Sequence, residues 1–95
     1  MNSILQKKKE CYICKTIYNL ECHHCIYGIA NRKLSERDGL KVWLCVEHHR
    51  GSYGVHGNNG HDLDLKLKKK SQLAWQEYYN KTKEDFIKEY GRSYI

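Results

Sequence analysis

Ninety-five residues suffice for one domain, and a chain this short buries too little surface for its core alone to give much stability. The formal net charge of +6 suits a polyanionic partner such as nucleic acid. The mean hydropathy of -0.83, with no apolar run of about 18 residues, argues against a membrane protein.

The first ten residues are polar and predict a basic N-terminal arm. The arm carries the run Lys7–Lys9, which could follow a phosphate backbone or belong to a mobile segment, and we favour the mobile segment. Residues 11–95 are predicted to form a single domain, because nothing within them has the composition of a linker.

Strand-like, loop-like and helical patterns then follow in order. Residues 11–45 fit a knuckle and two strands, with a helix or long connection over 31–38 that stops at Gly39. Four glycines mark a loop at 51–60, and loops of this kind commonly hold sites. Helical spacing begins at His61, with Asp62 as a candidate N-cap, and returns over 84–90 before Gly91. The residues predicted to share one apolar face are Leu63, Leu67, Ala74, Trp75 and Tyr78 in the first helix and Phe86, Ile87 and Tyr90 in the second.

Five cysteines without a signal-peptide pattern favour metal ligation in a reducing cytoplasm over disulfides. Cys11 and Cys14 form one ligand pair, and Cys45 and His48 form another with the same spacing. Three thiolates and one imidazole suit a tetrahedral structural zinc ion. Such an ion would clamp the start of the domain to the segment after the second strand.

An alternative zinc set replaces the second pair with Cys22 and Cys25, and spacing alone allows it. These cysteines flank His23 and His24, so a zinc ion there would crowd any second metal. Free cysteines are commonly small, buried and apolar in behaviour, and we prefer this interpretation of Cys22 and Cys25.

The chain has six histidines, four of them in the adjacent pairs His23-His24 and His48-His49. Adjacent residues of a strand point to opposite faces, so one member of a pair can bind a metal while the other faces a substrate. Two such pairs beside a zinc pattern predict a metal-dependent centre rather than isolated surface histidines.

The order of CYIC, LECHHCIYG, LKVWLC and EHH resembles the HNH family of ββα-metal nucleases. It is most similar to small phage-type members and to the Ref-like, recombination-associated branch, and it runs from about residue 11 to the end of the chain. The resemblance implies a small zinc-stabilised α+β domain with C-terminal helices that hydrolyses DNA phosphodiester bonds. It also implies a phage- or prophage-encoded protein in the cytoplasm of a bacterial host.

By this resemblance, His23 falls on the first ligand position of the catalytic ion and His24 on the general-base position. His49 falls on the histidine that binds the ion after the zinc knuckle. The structural zinc positions fall on Cys11, Cys14, Cys45 and His48, where His48 replaces a frequent cysteine.

Two positions depart from the family pattern. No asparagine lies just before the LC motif, and Asn31 is the nearest one. Tyr53 stands where many members have another histidine or asparagine. His56 could replace it, as a ligand or as a phosphate contact, if the glycines fold the loop back. His61 is predicted to be simply a helix-start residue.

The expected mechanism assigns proton acceptance from water to His24, beside Mg²⁺, Mn²⁺ or a comparable ion held by His23 and His49, with His56 as a further candidate. Basic residues available for phosphate contacts are Lys7–Lys9, Arg32, Lys33, Arg37, Arg50, Lys66 and Lys68–Lys70. The alternative is a non-catalytic zinc module that binds nucleic acid or protein, which explains the cysteines but not the paired histidines.

Overall fold

A computed structural model describes residues 2–95 and shows a small α+β protein. Its elements are β1 (Leu20–His24), α1 (Ile29–Asp38), β2 (Lys41–Cys45), α2 (Val46–Arg50), α3 (His61–Tyr78) and α4 (Lys83–Tyr90). The two strands form an antiparallel sheet in which Leu20 lies opposite Cys45 and His24 lies opposite Lys41. This confirms the predicted α+β class and the two strands.

The segment between the strands is a helix rather than a long connection, and it begins two residues before the predicted start. Gly28, at φ 109°, precedes α1, and Gly39, at φ 76°, ends it in the left-handed conformation. A Cβ atom on Gly39 would lie 2.9 Å from the carbonyl oxygen of Asn2. Glycine is therefore required for both conformation and space, and the predicted stop is confirmed.

The N-terminal segment is attached to the sheet. Ser3 Oγ donates to the Lys41 carbonyl at 2.5 Å, and the Ile4 amide donates to the Gly39 carbonyl at 3.0 Å. Ser3 and Ile4 therefore lie beside β2, and the mobility of the arm stays a prediction. Lys7–Lys9 are exposed, and Met1 lies outside the described residues.

Buried apolar side chains form two clusters. One lies against the sheet and contains Cys11, Cys25, Val42, Leu44, Cys45, Val55 and Leu67. The other joins α1 to the C-terminal helices and contains Ile26, Leu40, Trp75, Phe86 and Tyr90. The first cluster supports the sheet that carries the histidines, and the second supports α1.

Asp38 links the second cluster to α1. Its carboxylate accepts hydrogen bonds from Trp75 Nε1 at 2.9 Å and Tyr90 Oη at 2.8 Å, and it is paired with Arg37. Burial acts to raise the pKa of Asp38, but these donors, led by Arg37, outweigh it and lower the pKa. The end of α1 is thereby fixed to α3 and α4.

Helix α3 begins at His61, with Gly60 rather than Asp62 at the N-cap position. Leu67 and Trp75 are buried as predicted, but Tyr78 is 67% exposed. Instead, the next residue, Tyr79, points inward. It follows the last residue of α3, and its hydroxyl donates to the Asp38 carbonyl at 2.8 Å. No helix in the described part of the chain is long and apolar enough to span a membrane.

Helix α4 begins one residue before the predicted start. Thr82 and Asp85 form a capping box at its N-terminus, and Gly91 ends it at φ 95°. Phe86 and Tyr90 are buried, whereas Ile87 is 39% exposed, so the predicted apolar face is narrower than expected.

Candidate functional site

Cys11, Cys14, Cys45 and His48 converge on one point. Their ligand atoms are 3.7 Å apart for Cys11 Sγ and His48 Nδ1, 3.8 Å for the Cys14 and Cys45 sulfurs, and 3.2 Å for Cys45 Sγ and His48 Nδ1. In a tetrahedral zinc site these edges would be about 3.6 to 3.8 Å. The cluster could therefore hold a metal ion such as zinc.

Local backbone structure positions the first ligand pair. The Cys11 amide donates to the Thr16 carbonyl at 2.8 Å, and the Lys15 amide donates to the Cys11 carbonyl at 2.9 Å. Lys15 adopts φ 68°, which closes the knuckle. The Tyr12 amide then joins the knuckle to the Trp43 carbonyl on β2 at 2.8 Å. The second ligand pair follows directly, since β2 ends at Cys45.

The pKa values of two cysteines in this cluster are shifted in opposite directions. Burial acts to raise the pKa of Cys11, but backbone N–H groups of Cys14, Cys45 and Ile13 point at its sulfur and lower the pKa to about 6. Burial and then the sulfurs of Cys11 and Cys14 raise the pKa of Cys45. Clustered thiols resist joint ionisation, and a bound cation removes that resistance.

The alternative zinc set is not formed. Cys25 is fully buried, and burial raises the pKa of its thiol to about 12. Cys22 is exposed, and neither cysteine joins the four-ligand cluster. Cys25 thus behaves as the small apolar residue expected from the sequence, whereas Cys22 lies on the surface.

A second ligand set consists of His23, His49 and His56, whose ligand atoms all lie within 4.8 Å of one another. Their ring centroids are 5.3, 5.1 and 4.9 Å apart. The set opens into a pocket of about 320 Å³. The other residues lining this pocket are Cys22, His24, Tyr27 and Arg32.

His23 is the buried member of this set, at 2% exposure. Burial, followed by the charges of His49 and His56, lowers the pKa of His23 to about 3, so its imidazole is neutral at physiological pH. Its Nε2 atom has no hydrogen-bond partner among residues 2–95. An unpaired buried nitrogen costs about 1 to 3 kcal/mol, and coordination of a metal ion would satisfy it.

His49 is oriented by an acidic partner. Its Nδ1 donates to Glu21 Oε1 at 2.7 Å, and Arg50 donates to both oxygens of the same carboxylate. The hydrogen bond from His49 and then that from Arg50 lower the pKa of Glu21. This contact places the proton of His49 on Nδ1 and leaves Nε2 for a ligand, the usual arrangement of a metal-binding histidine.

His24 faces a different partner from its neighbour. Its Nε2 donates to Glu36 Oε1 at 2.7 Å, and the other Glu36 oxygen accepts from Lys41 Nζ. Lys41 and then His24 lower the pKa of Glu36 to about 2, so this carboxylate stays ionised. With the proton held on Nε2, the lone pair of His24 is on Nδ1.

The glycine loop folds back over α2 and carries His56 to the site. The His56 amide donates to the His49 carbonyl at 3.0 Å, and a Cβ atom on Gly57 would overlap the Gly51 carbonyl oxygen. Tyr27 packs its ring edge against His56 at 5.1 Å, and its hydroxyl donates to Asp64 at 2.9 Å. The close backbone packing explains why the loop needs glycines.

No protein-family model, curated protein or solved structure matches this chain. The chain carries one set of four ligands and one set of three. Four ligands complete a tetrahedron, as in structural zinc sites, whereas three leave positions for water and substrate, as in catalytic sites. The two sets therefore suit different chemistry.

Other predicted positions lie outside the site. The Asn31 side chain donates to the Tyr90 carbonyl at 3.1 Å and so joins α1 to α4. His61 begins α3 and is exposed, as expected, and Tyr53 is 73% exposed. These residues contribute no ligand to either described cluster.

The sequence interpretation missed Glu21 and Glu36. Glu21 had a usable signal, because residues two apart on a strand share a face and Glu21 precedes His23 by two. Glu36 had none, because its contact with His24 depends on how α1 crosses the end of β1. Both carboxylates orient histidines of the pocket.

Proposed function

We propose that the protein is a metal-dependent HNH-type endonuclease that hydrolyses DNA phosphodiester bonds. In this proposal His24 is the general base, and His23, His49 and His56 hold a divalent ion. The buried, unpartnered Nε2 of His23 within a three-histidine set carries the proposal. A histidine with a fixed tautomer lines the same pocket, which supplies the base beside the ion.

The donor set fits a transition-metal ion. Three imidazoles suit Mn²⁺, Co²⁺, Ni²⁺ or Zn²⁺ better than Mg²⁺, which prefers oxygen ligands. When bound, the ion would stabilise negative charge on the phosphate and on the departing 3′ oxygen. Mg²⁺ is therefore expected to support less activity than Mn²⁺.

The protein's own residues supply the proton chemistry. Nδ1 of His24 accepts a proton from a water molecule. The oxygen of this water attacks phosphorus, and the bond between phosphorus and the 3′ oxygen breaks. The imidazolium that forms is stabilised by the ionised Glu36, which also prevents the ring from rotating. Glu36 is in turn held by Lys41, a buried lysine of β2.

Three further observations support the proposal. The two antiparallel strands, which α1 separates along the chain, are followed by a helix with His49, as a ββα-metal domain requires. The net charge of +6 favours DNA as the partner. The resemblance in the HH and LC-x-x-HH segments extends the proposal to a phage- or prophage-encoded protein that works in the bacterial cytoplasm.

A supercoiled-plasmid assay tests this function. Protein with one structural zinc per chain is incubated with Mg²⁺, Mn²⁺, Co²⁺ or Ni²⁺, and nicked and linear products are measured. His24→Ala should lower the rate about 10²- to 10⁴-fold, the usual contribution of a general base. His61→Ala, which removes an exposed histidine outside the pocket, should cut at the wild-type rate.

Two results would contradict the proposal. Cleavage by His24→Ala at the wild-type rate would show that His24 is not the general base. Intact plasmid with every ion, from folded and zinc-loaded protein, would favour the non-catalytic zinc module instead.

A further inference from the structure

The four arginines differ in how they are paired. Three contact acidic or aromatic side chains of the protein itself, namely Arg37 (Asp38 and Glu89), Arg50 (Glu21) and Arg92 (Tyr94). The guanidinium of the fourth, Arg32, has no hydrogen-bond or ion-pair partner in the described range 2–95. Within the described residues, Arg32 is thus the arginine that contacts neither an acidic nor an aromatic side chain.

The reason lies one helical turn away. Glu36 follows Arg32 by four residues on α1, a spacing at which ion pairs commonly form. Its two oxygens contact His24 and Lys41 instead. The contact that orients His24 therefore also leaves Arg32 available to a ligand.

Arg32 occupies a particular place beside the histidines. It lines the pocket that contains His23, His49 and His56, and it also lines a second groove of about 550 Å³ over α1. His24 lines both as well, so the two cavities adjoin. The other residues of the second groove are Ile29, Lys33 and Glu36.

The local charge makes Arg32 the natural anion contact of the pocket. Lys68 of α3, which lies over the ring of the pocket residue Tyr27, is paired with Asp64 at 2.9 Å. A guanidinium binds two oxygens of a phosphate with parallel hydrogen bonds, and here no existing ion pair must break first.

We infer that Arg32 is a catalytic residue that binds a non-bridging oxygen of the scissile phosphate. We further infer that the cut strand leaves the pocket along α1, where Lys33 meets an adjacent phosphate. Ile29, 97% exposed one turn before Arg32, then lies against a sugar or base edge of that strand. This inference rests on the proposed endonuclease function and specifies how its substrate is held.

The test compares Arg32→Ala and Arg32→Lys with Lys83→Ala, which removes one exposed charge at the start of α4. Cleavage of a fluorescein-labelled DNA duplex with Mn²⁺ is measured at saturating protein. Binding of the same duplex is measured by anisotropy without added Mn²⁺, between about 50 and 200 mM salt. Thermal unfolding confirms that each variant is folded.

Arg32→Ala should lower the saturated cleavage rate about 100-fold. Its slope of log binding constant against log salt should fall by about 0.9, the value for one lost phosphate contact. Arg32→Lys should restore the salt slope but remain at least about 10-fold slow, because an ammonium cannot bind two oxygens in parallel. Lys83→Ala should match the wild type in both measurements.

The inference is overturned if Arg32→Ala cuts at the wild-type rate, or if its salt slope equals that of Lys83→Ala. The binding measurement keeps the inference separate from the proposed function. If the wild type cuts no DNA, the nuclease proposal fails, and the catalytic role of Arg32 fails with it. A smaller salt slope for Arg32→Ala, but not for Lys83→Ala, would then still support a contact between Arg32 and a phosphate. An unchanged salt slope for Arg32→Ala would contradict that contact as well.

Discussion

His48 and His49 are neighbours on α2, yet they belong to different clusters. Successive residues of a helix are about 100° apart, so one side chain turns toward the cysteines and the next toward His23. The cysteine-rich cluster has four ligands, three of them sulfur, and two of its cysteines are buried. The histidine cluster has three nitrogen ligands and opens to a pocket. One short helix thus separates a site suited to stability from a site suited to chemistry.

The clusters also differ in what holds their ligands. Backbone turns and β2 position the cysteines, whereas the carboxylate of Glu21 orients His49 of the histidine cluster and that of Glu36 orients His24 beside it. A ligand held by backbone is lost only with the fold, but a ligand held by a side chain can be perturbed alone. Substitutions should therefore separate stability from activity.

Cys45→Ser should have the largest effect, because it removes a ligand of the proposed zinc ion at the residue that ends β2. Structural zinc contributes about 10 to 16 kcal/mol of apparent free energy, comparable with the entire stability of a small domain. We expect loss of zinc by elemental analysis and loss of the cooperative unfolding transition by circular dichroism. Cys22→Ser, at an exposed cysteine outside the cluster, should retain both. A folded, zinc-free Cys45→Ser protein would refute the structural role.

The adjacent substitutions His48→Ala and His49→Ala test the division directly. His48→Ala should lose zinc and unfold at a much lower temperature. His49→Ala should keep one zinc per chain and the wild-type unfolding transition, yet cut DNA at least about 100-fold more slowly. Zinc content, unfolding temperature and plasmid cleavage are measured on both. Equal zinc loss in the two variants would show that the clusters are not independent.

Asp38→Asn should weaken the helical core without touching either cluster. The loss of charge-assisted hydrogen bonds from Arg37, Tyr90 and Trp75 should lower the free energy of unfolding by about 2 to 3 kcal/mol at neutral pH. Zinc content should not change. Urea unfolding measures this difference, and an unchanged midpoint would contradict it.

The stability of the wild type and that of Asp38→Asn should also depend differently on pH. The folded pKa of Asp38 lies below its unfolded value of about 3.9, so its ionised form stabilises the fold above that pH. The contribution is lost as pH falls through the lowered folded pKa. The stability difference between wild type and Asp38→Asn should therefore shrink below about pH 4. Acid also releases metal from both proteins, so only their difference is compared.

Local spacing explains what the sequence could predict. Each ligand pair, such as Cys11 with Cys14, lies within one turn, and ligand type and spacing are visible in the letters. The pairing of the strands, suggested by apolar patterning, then brings Cys45 to the knuckle. The end of α1 at Gly39 was also predictable, because a glycine after a helical segment is a local signal.

Contacts between distant segments explain what the sequence could not predict. Glu36 reaches His24 only because α1 crosses the end of the sheet, and no periodicity encodes that crossing. The place of His56 depends on a loop whose glycines allow many conformations before packing selects one. The first residues of the chain look like a free arm until Ser3 and Ile4 find partners on and beside β2.

Glu21→Gln should have the smallest and most selective effect. The amide keeps the shape of the side chain but loses the charge that orients His49, so affinity of the histidine cluster for Mn²⁺ or Co²⁺ should fall about 10- to 100-fold. The structural zinc should remain, because Glu21 does not belong to the cysteine cluster. Calorimetric titration of zinc-loaded protein measures the affinity, and Glu47→Gln, at an exposed glutamate of α2, is the matched control. Equal affinities in both variants would mean that His49 keeps its orientation without the carboxylate, and the contrast between backbone-held and side-chain-held ligands would fail at this residue.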